Sequence, residues 1–585
     1  MARLHLRLMA TTDVHMNLMP HDYYAGRATP ERGLATLAPV ISALRAEGNA
    51  LLFDNGDMLQ GNPLADHLGT RPKGHPAMAA MNHLRYDAAT LGNHDFGYGT
   101  QWLRRVLAQA RHPVVSANAR LTGAETPWQS GVILGRVMRD EAGQDHALRI
   151  GVFGVLPPQT VNWETGLNGA LSVSDMLDAA PGAAQALRAQ GADLVICLAH
   201  SGLGTGQPAP MQENAAAALS LVPGIDAVFA GHAHALHPEA GDGLINGVPV
   251  AMAGFGASHL AVIELSLEQT AQGWRRVAAN ARLIANPGGA ADPQIVALTA
   301  PAHQATLREI ARPVTTSLVP LSSHFVLIGA DAGLRLIAEA KRARVARMLA
   351  GGPLAELPIL SAVAPFRAGG RGGPQHYTHI APGQLCLSDM AQLYQFTNSL
   401  CAVTATGAAL RDWLERAASI YQTIASGAQD APLLRPDFPA YQFDVLGGLD
   451  YTIDLTAPAA FDAEGRPTGG RRIRELRHNG QPVAPDQLFV VATNSYRLSG
   501  AGLYAALPAQ VTHLFDTEPV RDVLLDWAAR QTNLSPAATL PFRLSAPGAT
   551  ALFETAPEAD PAASPLAATP LGLTDQGFMR MRVAL

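Results

Sequence analysis

Three runs, LRIGVFGV (148–155), ADLVICLA (192–199) and IDAVFA (225–230), are continuous apolar stretches rather than alternating ones. A strand written this way is covered on both faces, which places it inside a layered α/β domain. Earlier runs of the same type are LHLRLMA (4–10), ALLFD (50–54) and AATL (88–91). Amphipathic stretches separate them and read as helices: 34–48 ending at Gly48, 75–85, 99–110, and two more near 174–190 and 212–221. The NPGGAAD break (286–292) and the helical stretch 293–311 follow, and then a region of different texture. It holds a helix over 329–350 and the Gly-rich loop FRAGGRGGP (366–374). The reading is two domains, 1–290 and 316–585, joined by a linker helix or hinge over 291–315. The Ala/Pro/Ser-rich stretch 546–571 reads as loosely ordered.

Each apolar run ends in polar residues. MATTDVH supplies Asp13 and His15, and LLFDNGDMLQG supplies Asp54, Asn55 and Asp57. TLGNHDFG supplies Asn93, His94 and Asp95, ICLAHSG supplies His200, and VFAGHAHALHP supplies His232 and His234. In an open α/β sheet, ligands gather beyond the carboxyl ends of the strands, so five strands deliver these groups to one place. Asp-x-His and His-x-His, if extended, turn alternate side chains to one side. Imidazole nitrogen with carboxylate and amide oxygen suits manganese, zinc or iron better than calcium or copper. The donors are enough for two cations. One shared carboxylate would hold the pair about 3.5–4 Å apart, the spacing used for phosphoryl displacement.

A net charge of −6 argues against a nucleic-acid polymer or an anionic membrane as partner. No apolar run reaches the roughly 18–20 residues of a spanning helix. The three cysteines make no disulfide framework, and Cys197 lies in an apolar run as a core residue would. No secretory leader is read at the start, so the expectation is a cytoplasmic monomer or a mature chain from which a leader has been removed.

The five fragments, in this order, resemble the calcineurin-like metallophosphoesterases, and within them the 5′-nucleotidase family. LYQFTNSLCAV (393–403), YQFDVLGGLDYTIDL (441–455) and FVVATNSYRLSGAGLY (489–504) are similar to that family's C-terminal nucleotide-binding domain. ATTDVHMNLMPHDYY near the start and FDVLGGLDYTIDL near the end are most similar to its branch of bifunctional 2′,3′-cyclic-nucleotide 2′-phosphodiesterase/3′-nucleotidases. Gly-His-x-His fits that branch too.

The resemblance implies an α/β fold: a four-layer β-sandwich flanked by helices, plus a C-terminal α/β domain. It implies that Asp13, His15, Asp57 and His234 bind one divalent ion, of manganese, zinc or cobalt. Asp57, Asn93, His200 and His232 would bind the other, with Asp57 as the bridge. His94 would be catalytic. In 5′-nucleotidases an Asp three positions after that His orients it, whereas here the position is Gly97. Asp95, adjacent on an extended chain, would diverge and not substitute. Phe396 and Tyr496 match the aromatic pair that sandwiches the base. Asn398 and Asp444 would bind ribose or hold the loop, and Arg367 would meet phosphate or be a solvated loop cation. Rotation of the C-terminal domain about 293–315 would bring nucleotide to the metals. Relatives are commonly periplasmic, which stands as the alternative location. The implied reaction opens 2′,3′-cyclic nucleotides to 3′-nucleotides and hydrolyses these to nucleoside and phosphate. The alternative is a 5′-nucleotidase or nucleotide-sugar hydrolase.

Overall fold

The computed structural model describes all 585 residues except Met1, Thr70, Glu164, Thr165, Gly166, Asn168, Gln272, Thr397, Asp437, Ala463, Glu464 and Ala501. The chain divides into two compact units, Met1–Ile310 and Ala311–Leu585.

The first unit is built on two mixed sheets. In one, the order across the sheet is Gly273–Ala285, His259–Thr270, Arg3–Thr11, Ala50–Asp54, Ala88–Thr90, Val114–Val115. In the other it is Leu236–His237, Val248–Ala253, Ala227–Ala230, Leu194–Ala199, Asp145–Val155, Gly131–Arg139. The period of two sorts the side chains into layers. Leu4, Leu6, Leu8, Leu51 and Phe53 from the first sheet meet Ile150, Val152, Leu194, Ile196, Leu198 and Phe229 from the second in one buried cluster. The residues between them face outward. Met9 and Leu52 pack with the helices over Leu34–Ala46 and Pro76–His83. Val195, Cys197 and Ala199 pack with the helix Met176–Ala189. Helix, sheet, sheet and helix make the four layers, and Cys197 is a core residue.

Two features were not legible. The longest strands, His259–Thr270 and Gly273–Ala285, form an antiparallel hairpin at the edge of the first sheet. Stretch 546–571 is not loosely ordered. Thr550–Thr555 and Ala568–Leu573 join Met579–Ala584 and Ala431–Pro432 in a four-stranded sheet, with Phe553, Met581 and Val583 buried.

The helix Pro293–Ile310 packs on the helices Leu34–Ala46, Pro63–Leu68 and Pro76–His83. In the second unit, the main sheet runs Val445–Gly447, Ile359–Val363, Leu488–Asn494, Ser399–Thr406, Val511–Pro519. The helix Ala332–Leu349 packs on it. Asp331 accepts from Leu334 N at 2.9 Å and caps this helix. Among the described residues, no helix is long and apolar enough to cross a membrane.

Candidate metal centre

The polar residues that follow the strands converge. Donor atoms of Asp13, His15 and His234 all lie within 4.8 Å of one another, as do those of Asp13, Asp57 and His200. His15 Nε2 is 2.9 Å from His234 Nε2, and His200 Nε2 is 3.1 Å from Asp57 Oδ2. His232 Nδ1 is 3.0 Å from Asn93 Oδ1. Asp13, Asp57, Asn93 and His200 are buried, and His234 is the most exposed of the set.

The backbone that presents them is not extended. Asp13, His15, Asp57, His232 and His234 all have φ between 48° and 66°, five of the thirteen non-glycine residues described with positive φ. The alternation expected for Asp-x-His and His-x-His therefore fails. Left-handed residues at the strand ends turn the side chains inward, at a cost of roughly 1–2 kcal/mol each. Strain of this kind is held only where the surroundings impose it, and it clusters at functional sites. At Asp13 and His15 a ladder imposes it: Asp13 N donates to Gly56 O, His15 N to Asp57 O and Met16 N to Met58 O, at 2.8–3.0 Å.

Asp95 is a strut of the site. Its carboxylate accepts from Gly92 N (2.8 Å), Asp57 N (2.9 Å) and Leu59 N (2.9 Å), tying the loop after Ala88–Thr90 to the loop after Ala50–Asp54. Gly92 must lack a side chain, because a Cβ there would fall 2.1 Å from Asp57 Oδ1. Asp54 and Asn55 serve the frame as well. Asp54 accepts from Thr11 Oγ1 at 2.7 Å, and Asn55 Nδ2 donates to Ala199 O at 3.0 Å.

Three imidazoles are preset by their second nitrogen. His15 Nδ1 donates to Gln60 O (2.7 Å), His200 Nδ1 to Asn55 O (2.9 Å) and His232 Nε2 to Glu213 Oε1 (3.0 Å). Each ring then turns its other nitrogen toward the cluster, oriented as metal ligands are by their outer partners. Trp163 stacks on His232 and Phe255 on His234. Nothing in the sequence marked Gln60, Glu213, Trp163 or Phe255, because each acts through a contact that only folding creates.

The charge balance suits cations. Burial alone would raise Asp13, yet His200 and His234 hold it down to about 2. Asp57 is likewise pushed up by burial but held well below the carboxylate range by His200 and His94. Burial would lower His200, but Asp57 and Asp13 push it up to about 10. Two buried carboxylates thus draw positive charge into the cluster. His15 Nε2 and His234 Nε2 face each other at 2.9 Å, a pair of ring nitrogens that can share a proton or give their lone pairs to a cation. The donor set and its presetting fit divalent metal ions.

In the second unit, the antiparallel register pairs Leu400 with Asn494, so Phe396 and Tyr496 lie at the same end of the sheet. Phe396 is 37% exposed and meets Phe366 edge-on at 4.9 Å. Tyr496 is half-buried, 6.5 Å from the ring of Tyr441. Asp444 is buried, with no face toward solvent: Oδ2 accepts from Trp413 Nε1 at 2.7 Å and Oδ1 from Arg497 Nη2 at 2.9 Å. The Asn398 side chain bonds the Tyr394 hydroxyl. Arg367 is not a solvated loop cation, for it is buried and Nε donates to Tyr377 O at 3.2 Å.

A helix–sheet–sheet–helix sandwich with Asp, Asn and His donors at its strand ends defines a calcineurin-like phosphoesterase, a class built around a dinuclear metal centre. That family matches residues 6–236, and the 5′-nucleotidase C-terminal domain matches residues 336–509. Over 578 residues the chain is 35% identical to the 2′,3′-cyclic-nucleotide 2′-phosphodiesterase/3′-nucleotidase of Salmonella typhimurium, covering 93% of this chain and 89% of that one. It is also 35% identical over 564 residues, 92% of its length, to a trifunctional nucleotide phosphoesterase protein of Bacillus subtilis, of which it spans 38%. The 5′-nucleotidase precursor of Thermus thermophilus shares the fold at a TM-score of 0.63 and 20% identity, over 92% of this chain and 99% of that one. The chain belongs to the 5′-nucleotidase family of calcineurin-like phosphoesterases.

Proposed function

We propose that the chain is a dinuclear metal hydrolase of nucleotide catabolism, opening 2′,3′-cyclic nucleotides to 3′-nucleotides and then releasing phosphate from these. The observation that carries this reading is the gathering of preset donors from both sheets, in a chain alignable along 93% of its length with an enzyme named for those two activities. Asp13, His15, Asp57 and His234 would hold one cation, and Asp57, Asn93, His200 and His232 the other. Manganese, zinc and cobalt all accept such donors. Bound there, two such cations would supply Lewis acidity toward the phosphoryl oxygens and lower the pKa of a water toward neutrality.

The protein's own part is placement and charge. Asp57 would be shared by the two cations: its Oδ2 lies 3.1 Å from His200 Nε2 and 3.9 Å from His15 Nε2, and its Oδ1 accepts from His94 N at 2.8 Å. The His94 imidazole, next in sequence to Asn93, meets the phosphoryl or leaving oxygen, where fixed polar groups stabilise developing charge. Phe396 and Tyr496 stack on the base, worth roughly 1–3 kcal/mol per ring–base contact. Asp444, through Arg497, holds the segment that bears Tyr496. Asn398, through Tyr394, and Arg367, through Tyr377, brace the loops around Phe396.

The test is a panel of 2′,3′-cyclic, 3′- and 5′-nucleotides, assayed on chelator-stripped protein with manganese, zinc or cobalt restored. Phosphate release from cyclic and 3′-nucleotides but not 5′-nucleotides is the expected result. Release from 5′-AMP alone would replace this reading with a 5′-nucleotidase, and inertness toward every ester under all three metals would end it.

A further inference from the structure

Gln60 lies three residues beyond Asp57 and touches two imidazoles of the centre with different groups. Its backbone carbonyl accepts from His15 Nδ1 at 2.7 Å, and its side-chain Oε1 lies 3.2 Å from His94 Nδ1. The side chain occupies the volume that a residue at position 97 would need. A Cβ built on Gly97 falls 2.2 Å from Gln60 Oε1 and 2.4 Å from both Cδ and Nε2. Gly97 has φ −60° and ψ −21°, a right-handed conformation open to any L residue. Its backbone does not demand glycine; the Gln60 amide does. Gln60 is 3% exposed, and its Nε2 has no hydrogen-bond partner among the described residues. A buried amide hydrogen left unpaired costs roughly 1–3 kcal/mol, so the side chain is not there for stability.

We propose that Gln60 is the positioning residue for His94. Its amide oxygen accepts from Nδ1–H, fixes the plane of the ring, and makes Nε2 the lone-pair nitrogen. It thereby does from the loop after Ala50–Asp54 what a side chain at position 97 would otherwise do. The role rests on the reading above, in which His94 meets the phosphate.

Gln60→Met keeps the volume and removes the acceptor, while the backbone carbonyl that holds His15 stays. The expected result is a kcat about 10- to 100-fold lower, the range typical for loss of an orienting partner, with KM within about twofold and two cations still bound per chain. In an H94A background the same substitution adds no further loss, since residues acting through one another are non-additive. Gln60→Ala with Gly97→Asp supplies an acceptor from the other side and recovers about tenfold or more over Gln60→Ala alone. Gly97→Asp by itself, with Gln60 in the way, is impaired. Thermal melts and metal analysis accompany each variant. Wild-type kcat in Gln60→Met, a full additional loss on H94A, or a double variant no better than Gln60→Ala would each overturn the assignment. Wild-type protein inert on all phosphate esters would instead defeat the proposed function itself.

Discussion

Replacing Asp444 with Ala tests how the second unit holds its aromatic loop. The carboxylate carries three contacts: Trp413 Nε1 at 2.7 Å, Arg497 Nη2 at 2.9 Å and Arg497 Nε at 2.7 Å. Both partners of the ion pair are about 4% exposed at the side chain, so solvent does not replace what is removed. Breaking a buried pair by deleting one partner costs roughly 3–5 kcal/mol, because the other charge stays buried. An orphaned buried indole N–H adds about 1–3 kcal/mol. Arg497 retains the Tyr441 carbonyl at 3.0 Å and the face of Tyr504 at 3.8 Å, which offsets part of this. The net expectation is a loss of about 4–6 kcal/mol, a large share of the roughly 5–15 kcal/mol that holds a domain folded. Denaturant unfolding followed by tryptophan fluorescence measures it, since Trp413 reports on this unit. Asp444→Asn, which keeps one acceptor but leaves the Arg497 charge unpaired, should lose less than Asp444→Ala while still losing more than about 1 kcal/mol. In variants still folded at 15 °C, KM for nucleotides should rise while turnover of a simple aryl phosphate holds, because Tyr496 precedes Arg497 in sequence. A loss below about 1 kcal/mol would refute the reading that the pair is unsolvated and irreplaceable.

Asp57→Asn should abolish hydrolysis of every phosphate ester, and unaltered activity would refute its place between two cations. Replacing both Phe396 and Tyr496 with Ala should raise KM for nucleotides and leave an aryl phosphate untouched; equal damage to both substrates would remove the clamp. Stripping metal should lower the melting temperature of the first unit, and saturating manganese at 100 times its Kd should return about 2.7 kcal/mol. Lys341 is buried, donates to the Ala362 carbonyl, and burial lowers it to about 7 from an ordinary 10.5, partly countered by Asp444. Between those values the unfolded chain binds the extra proton, so stability rises with pH by up to ~1.4 kcal/mol per unit and falls again toward pH 7. Lys341→Met should flatten that slope in denaturant midpoints taken at pH 7, 8 and 9.

The layered core was legible because strands buried on both faces have no need to alternate, as Leu194–Ala199 illustrates. The hairpin over 259–285 was not, because its outer strand WRRVAANARLIA mixes charged and apolar residues on a half-exposed edge. The C-terminal strands were hidden by composition, since Phe553 and Met581 find their partners only across the sheet. The polar residues of the centre stood out as short contiguous fragments after apolar runs. Their left-handed backbone did not, because nothing in Asp-Val-His dictates φ near 50° without the neighbouring loop to bond it. Gln60 and Glu213 stayed invisible for the same reason. Their partners, His94 and His232, lie 34 and 19 residues away.

Asp13, His15, Asp57 and Asn93 leave one leaf of the sandwich, while His200, His232 and His234 leave the other. Any ion gripped by the full donor set is therefore a rivet through two stacked leaves. Sliding one leaf against its neighbour by a single side-chain width would tear the grip open. Mechanical pulling across that seam should accordingly meet more resistance in the loaded protein than in the stripped one, at a place where the apolar filling alone allows slip.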